Sequence, residues 1–317
     1  MQLSDIQTVA CLGTGTMGHG IAFLAAKAGY AVRLYGRTPE SITRGMEGID
    51  RAITVYEDND LMPKGEGEIV KSRITGVTSL EEAADGVDFV TESIAENVQI
   101  KQEAYAILER HCRPDAVIST NTSGLSLSVL SEKLARPELF ISVHFFAPPY
   151  LMTPVEVTPG PATSQETRAI GEQWVTSIGC TPIILEKEIQ GFIANRIQAA
   201  CLREALYIVE QGWASAETVD KAITLSLGRR YSTTGPLESA DMGGLDIFNS
   251  VLTQLPPVLN SRTEPDPLLT RMVQQGRLGL KNGKGLYDWP PEAIQARRDA
   301  REQSLIGFLR KPPPLRD

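Results

Sequence analysis

No disulfide pattern, no basic run and no long apolar stretch occurs in this chain, and each absence removes a class of protein. The four cysteines, Cys11, Cys112, Cys180 and Cys201, are scattered without CxxC spacing. That excludes a disulfide scaffold and points to buried, reduced thiols in a cytoplasmic protein. Histidine is scarcer still: His19, His111 and His144 are the only three, none beside a cysteine, so no metal site is expected. A net charge of -8 without clustered lysines or arginines speaks against nucleic acid as a partner, because phosphate backbones need a basic face. No apolar run approaches the roughly 20 residues that cross a bilayer, so no membrane partner is expected. The start, Met1-Gln2-Leu3-Ser4-Asp5, shows no charged region followed by a long apolar one, so no secretory leader is expected either.

What is present is a chain of 317 residues, 42% hydrophobic and 22% charged, long enough to bury a large core in two domains. Short apolar runs at 8–12, 31–35, 89–91, 116–119, 140–143 and 183–185 alternate with helical spacing, as at 100–110 and 166–178. Such alternation predicts right-handed βαβ units on a mainly parallel sheet. After Gly191 only helical patterns follow. Ile193, Ile197, Cys201, Ala205 and Ile208 form one apolar stripe, and Ala199, Leu202, Leu206 and Val209 a second beside it. A helix apolar on two sides is buried on two sides, at the centre of a helical domain or in a dimer interface. The tail at Pro312-Pro313-Pro314 cannot continue a helix. The expected fold is therefore α/β: a Rossmann-type doubly wound sheet over residues 1–187, then an all-α domain over residues 188–317 for substrate binding and homodimer formation.

Gly13-Thr14-Gly15-Thr16-Met17-Gly18 places GxGxxG between a strand and a helix. Gly13 permits the tight turn, Gly15 lets a pyrophosphate approach the backbone, and Gly18 lets the helix pack on the strand. The helix start at Thr16 and Met17 offers unpaired N–H groups to the phosphates. A dinucleotide cofactor follows from that context. NAD-specific domains carry an Asp or Glu at the end of the second strand to hold the ribose diol. Here that position is Gly36, followed by Arg37 and Thr38. Without the carboxylate a 2′-phosphate is not repelled, and a guanidinium with a hydroxyl can bind it. NADP(H) is favoured on that balance, with NAD(H) the alternative if Gly36 is only a turn and Arg37 a solvated charge.

Oxidation of a secondary alcohol needs a group to take the hydroxyl proton and donors to hold the oxygen. His144 ends an apolar run, where a doubly wound sheet binds its ligands, and imidazole can act as base or acid near neutrality. Glu156, twelve residues on, could accept from the other ring nitrogen and fix the tautomer. Ser123 and Asn195 are further polar candidates. Each has a plainer reading: a satisfied core histidine, a solvated edge carboxylate, a turn hydroxyl, a first-turn helix amide.

Taken in order, Ser123 after Asn121-Thr122, His144 in His144-Phe145-Phe146, Glu156 in Val155-Glu156, and Asn195 in Gly191-Phe192-Ile193-Ala194-Asn195-Arg196 resemble the L-3-hydroxyacyl-CoA dehydrogenase family. The likeness extends over nearly the whole chain. It implies reversible NAD(P)-dependent oxidation of an L-3-hydroxy group to a 3-oxo group, with His144 as base, Glu156 orienting it, Ser123 binding the substrate oxygen and Asn195 orienting substrate. It further implies cofactor contacts at Glu96, Lys101 and Asn121, and at Lys281 in the segment Gly279-Leu280-Lys281-Asn282-Gly283-Lys284-Gly285.

Three departures qualify the resemblance. The family's Asn after His-Phe-Phe is Ala147 here, and the Rossmann acid is Gly36. The arm that grips coenzyme A, lysine-rich in the family, contains over 45–61 Arg51 against Glu47, Asp50, Glu57, Asp58 and Asp60, a poor site for a phosphorylated nucleotide. Ala147-Pro148-Pro149-Tyr150 and 228–238 resemble the lambda-crystallin/L-gulonate dehydrogenase branch, which implies a small free hydroxy acid as substrate. Arg230 is then the candidate to fork onto its carboxylate; its plainer reading is a cation at a helix C-terminus. An acyl-CoA substrate is the alternative, and a non-catalytic, crystallin-like cofactor-binding protein is the alternative of another class. A serine hydrolase using Ser123 lacks its GxSxG elbow.

Overall fold

The computed structural model describes residues 1–312. They form two compact units, Met1–Ala194 and a second beginning at Asn195. The first unit runs β1 (Thr8–Leu12), α1 (Thr16–Lys27), β2 (Ala31–Tyr35), α2 (Pro39–Asp58), α3 (Glu66–Ser72), β3 (Ile74–Val77), α4 (Leu80–Ala84) and β4 (Phe89–Glu92). It continues through α5 (Val98–His111), β5 (Val117–Thr120), α6 (Leu127–Ser131), β6 (Phe140–Phe145), β7 (Pro154–Pro159), α7 (Gln165–Ser177) and β8 (Thr181–Ile184).

The strands make one sheet of order β3-β2-β1-β4-β5-β6-β7-β8. All neighbours are parallel except β6 and β7, so the expected doubly wound α/β unit is present. Period-2 alternation sorts the strand residues to two sides. Val9, Cys11, Ile141 and Val143 join Phe23 and Trp174 in one core layer. Ala10, Leu12, Val90 and Phe140 join Tyr105 and Leu108 in the other. Burial on both faces explains why these strands read as short continuous apolar runs.

Two strands went unforeseen. β3 is an edge strand interrupted by Gly76, where a Cβ would lie 2.3 Å from Cγ2 of Ile42; the glycine exists to let α2 close on the sheet. β7 begins and ends with proline, which ordinarily argues against a strand. Both prolines sit at its ends, so its ladder with β6 survives between them.

The second unit is helical: α8 (Ala194–Glu210), α9 (Ala216–Leu225), α10 (Leu227–Tyr231), α11 (Pro236–Gly243), α12 (Leu245–Gln254), α13 (Pro267–Gln274) and α14 (Pro291–Arg310). Glu204 on α8 accepts the Asn260 N–H, and Glu210 is ion-paired with Arg262, fastening the 260–262 segment to α8. The two apolar stripes of α8 are not buried within the chain: Ile197 is 59% and Leu202 44% exposed, whereas Leu206 is buried. The reading that places α8 at the centre of a helical core therefore fails. α14 ends at Arg310, while Pro313 and Pro314 lie outside the described residues. Cys11, Cys112 and Cys180 are buried as expected, but Cys201 is exposed on α8. Burial pushes the Cys112 and Cys180 thiols up to about 12, so both stay protonated and unreactive. No helix among the described residues is long and apolar enough to cross a membrane.

Candidate active site

The glycine loop between β1 and α1 is packed as a dinucleotide cradle must be. Gly13 has φ +109° and a Cβ there would sit 2.6 Å from the Ser93 carbonyl oxygen; one on Gly18 would sit 1.8 Å from the Gly13 carbonyl oxygen. Nothing lies within 4 Å of the position a Gly15 Cβ would take, so the loop is open where a pyrophosphate would approach. Gly15 caps α1 without a side-chain bond, leaving the first N–H groups, at exposed Thr16 and half-buried Met17, for phosphate. The residues fit the cofactor class.

Beside the loop lies a cavity of about 420 Å³. Its apolar side is Leu80, Ile100, Ala104 and Ile107, and its polar side Tyr35, Arg37, Ser41 and Arg44. Arg37 is on that wall. Thr38 is not. Its hydroxyl accepts the Ser41 N–H as the cap of α2, and Ser41 and Arg44, further along that helix, line the cavity instead. Ser41 and Arg44 were missed by reading the sequence, although the cap at Thr38 places both within the first turns of α2 at i, i+3 spacing.

β6 and β7, further along the same sheet, carry the imidazole–carboxylate pair. His144 and Glu156 are register partners on antiparallel strands, hence side by side on one face. His144 Nδ1 is 2.9 Å from Glu156 Oε2, and both residues are buried. The other carboxylate oxygen, Oε1, accepts the N–H groups of Ile193 and Ala194 at 2.9 Å each. Burial would raise the Glu156 pKa, but the bonds from His144, Ala194 and Ile193 outweigh it and hold the carboxyl below its usual range. An ionised acceptor at Oε2 selects the Nδ1–H tautomer and leaves Nε2 as the acceptor of the neutral ring. Phe146 and Phe192 flank the imidazole, with centroids 5.1 and 5.2 Å away.

A second buried network lies at the ends of β4 and β5. Glu92, fully buried, accepts from Lys101 Nζ at 2.6 Å, the Tyr105 hydroxyl at 2.7 Å, the Thr120 hydroxyl at 2.9 Å and the Ile94 N–H at 2.8 Å. Burial first, and then the Glu92 charge, push the Tyr105 phenol well above its ordinary value. Lys101 Nζ is also 3.4 Å from Glu96 and is 1% exposed. Its ammonium is thus shared between the Glu92 and Glu96 carboxylates. Glu96 is half-exposed and accepts from the Thr122 hydroxyl and the Ser123 N–H. Burial would raise its pKa, yet those bonds and the Lys101 charge hold it below the ordinary value. Asn121 spends its carbonyl oxygen on the Phe145 N–H at 2.7 Å, tying the end of β5 to β6. Glu96, Asn121 and Ser123 thus share one corner of the first unit.

The remaining expected residues belong to the second unit. Asn195 is the second residue of α8. Arg230 lies with Arg229 in the last turn of α10. Lys281 sits in the loop closed by the bridge between Gly279 and Lys284. No cluster of histidine, cysteine and acidic side chains among the described residues could hold a metal ion.

Comparison with known proteins bears on this geometry. Residues 8–189 match the 3-hydroxyacyl-CoA dehydrogenase NAD-binding domain, and residues 191–289 match its C-terminal domain. The chain is 30% identical to 5-formyl-3-hydroxy-2-methylpyridine 4-carboxylate 5-dehydrogenase of Mesorhizobium japonicum, covering 96% of this chain and 98% of that one. It is 35% identical to a probable 3-hydroxybutyryl-CoA dehydrogenase of Bacillus subtilis, over 90% of this chain and 98% of the relative. A crystal structure of a 5-formyl-3-hydroxy-2-methylpyridine 4-carboxylic acid 5-dehydrogenase, described as an NAD+-dependent dismutase, superposes with a TM-score of 0.89 at 30% identity, over 96% of this chain and 99% of that one. The (S)-3-hydroxybutyryl-CoA dehydrogenase of Ralstonia eutropha superposes at 0.76 and 30% identity, over 90% of this chain and all of that one. A nicotinamide-binding sheet, an imidazole–carboxylate pair at its carboxyl edge and a following helical unit are together accounted for: the chain belongs to the 3-hydroxyacyl-CoA dehydrogenase family.

Proposed function

We propose that this protein catalyses the reversible oxidation of an L-3-hydroxy group to a 3-oxo group on a small free hydroxy acid, with NADP(H) preferred to NAD(H). The observation that carries the reading is the His144–Glu156 pair, buried, hydrogen-bonded at 2.9 Å and held at the carboxyl edge of a dinucleotide-binding sheet. A nicotinamide cofactor, when bound, supplies the hydride acceptor. His144 Nε2 takes the hydroxyl proton, and the imidazolium that forms is stabilised by Glu156. Ser123 donates to the substrate oxygen as it becomes a carbonyl, Asn195 orients the substrate, and Phe146 and Phe192 keep water from the imidazole. Glu96 and Asn121 shape the cofactor corner, with Lys101 acting through Glu96, and Lys281 is a further candidate contact from the second unit.

Two observations favour a small acid over a coenzyme A thioester. The exposed face of α2 and the turn after it present Glu47, Asp58 and Asp60 against Arg51, with Asp50 paired to Lys71 at 2.6 Å, an acidic balance that disfavours a phosphorylated nucleotide. The relative from Mesorhizobium japonicum, by its name, acts on a free pyridine carboxylate. Arg230 is the proposed fork for the carboxylate. The acyl-CoA reading rests on the Bacillus subtilis relative. Turnover of free L-3-hydroxy acids against 3-hydroxybutyryl-CoA decides between them. A free acid should be oxidised with the higher kcat/KM, and Arg230→Lys, which keeps charge but loses the fork, should lower that value sharply. Efficient turnover of the thioester with free acids inert would overturn the proposal.

A cytoplasmic homodimer formed through the second unit completes the reading. It would cover the apolar side chains exposed there, Leu237 at 86%, Met242 at 74% and Leu245 at 61%, besides Ile197, a patchwork unusual on a free surface. Light scattering at a single-chain mass would contradict it.

A further inference from the structure

The polar wall of the cofactor cavity carries more than the sequence motif at Gly36-Arg37-Thr38 indicates. Gly36 is buried against α2, and a Cβ there would lie 2.5 Å from Ser41 Oγ, 2.9 Å from Ile42 Cδ1 and 2.9 Å from Thr14 Cγ2. The room that a ribose-binding aspartate or glutamate would need is filled by Ser41 and its neighbours. Ser41 is itself locked in place: its hydroxyl donates to the Thr38 carbonyl at 2.7 Å and accepts the Thr38 N–H at 3.1 Å. One turn later Arg44 reaches the same wall as Arg37. Both arginines are exposed, so their guanidiniums are hydrated and able to rearrange around a ligand.

The geometry points to Arg44 as a specificity-determining residue: with Arg37 it forms a two-guanidinium clamp for the 2′-phosphate of NADP(H), and the Gly36–Ser41 interlock excludes the carboxylate that would reject that phosphate. This rests on the NADP preference proposed above and adds to it the residues that enforce it. Guanidinium is suited to the task because its fixed fork pairs with two phosphate oxygens, and two such groups can hold a dianion from two sides. The opposing charges are few. Glu40, one turn before Arg44, feels its field, but its carboxylate is engaged mainly by its own backbone N–H and then by Thr38, which hold its pKa below the ordinary value. Glu103 lines the cavity too and accepts from the Gln99 amide at 3.2 Å. Thr38, whose hydroxyl serves the helix cap and Glu40, contributes no donor.

The test uses the full chain and fragments that lack nicotinamide, so that binding is read without turnover. Isothermal titration compares 2′,5′-ADP with ADP for the wild type, Arg44→Ala, Arg44→Lys and Arg37→Ala. The wild type should bind 2′,5′-ADP more tightly, and Arg44→Ala should weaken that fragment by roughly 10–100-fold, as loss of a charged hydrogen-bonding partner does, while leaving ADP nearly unchanged. Arg44→Lys should recover only part of the loss. If the wild type favours 2′,5′-ADP and Arg44→Ala keeps the full preference, the clamp is wrong and Arg37 alone supplies it. If the wild type binds ADP as well as or better than 2′,5′-ADP, the NADP reading itself is wrong.

Discussion

His144 and Glu156 stand opposite one another across the antiparallel ladder of β6 and β7, with Nδ1 and Oε2 2.9 Å apart. A separation of twelve residues in sequence becomes direct contact because the chain turns back on itself after β6. The same carboxylate gathers two backbone N–H groups from Ile193 and Ala194, so its position is set on three sides before substrate arrives. That preorganisation holds the neutral imidazole in one tautomer, with Nδ1–H on Glu156.

Glu156→Gln keeps the shape and removes the charge. A glutamine cannot accept from His144 and from both backbone N–H groups without turning its own NH2 toward a donor, so kcat should fall by roughly 10²–10⁴-fold. The pH dependence has a definite sign. The Glu156 carboxyl is held below its ordinary 4.5 in the folded protein, so its stabilising contribution is complete above that value and is lost as pH falls through the folded one. The stability difference between wild type and Glu156→Gln, measured by denaturant titration, should therefore shrink below the ordinary carboxylate range. A difference that grows on acidification would show that Glu156 is protonated in the folded state.

Lys101→Met tests the buried network at the end of β4. Glu92 would lose its one cation while staying fully buried, and breaking such a pair costs about 3–5 kcal/mol. Denaturant unfolding should show that loss, and Glu92→Gln combined with Lys101→Met should restore much of it. A single variant as stable as the wild type would mean that the Tyr105, Thr120 and Ile94 donors suffice for Glu92.

Gly36→Ala examines the wall beside Arg37. The added methyl meets Ser41 Oγ at 2.5 Å, and overpacking of this kind costs about 1–3 kcal/mol. Thermal unfolding should move to lower temperature. An unchanged midpoint would mean that the start of α2 gives way freely, and that no interlock exists there.

The sequence is legible where one residue type has one physical use. The GxGxxG loop, the buried strands and the order Ser123, His144, Glu156, Asn195 all belong to that class, and the loop and strands appear in place. What escapes is decided by tertiary packing. The strand at β7 is hidden by its terminal prolines, and β3 by Gly76, whose purpose is visible only when Ile42 is seen against it. Lys101 reads as a cofactor contact, yet its burial beside Glu92 depends on side chains from β4, β5 and α5 that no local pattern links. Arg44 hides for a similar reason: α2 brings it to the cofactor wall from well beyond the motif. The stripes of α8 show the converse, since apolar spacing there marks a surface that the chain itself leaves exposed at Ile197 and Leu202.

The central claim is that His144 moves the proton in a nicotinamide-dependent oxidation of an L-3-hydroxy group. The most direct measurement is kcat for the wild type and His144→Ala with a small L-3-hydroxy acid and NADP+, together with cofactor affinity by titration. The account predicts a fall in kcat of roughly 10²–10⁴-fold with cofactor affinity nearly unchanged. A variant retaining more than about a tenth of wild-type kcat would contradict it, because general acid–base groups typically contribute about 10²–10⁴-fold.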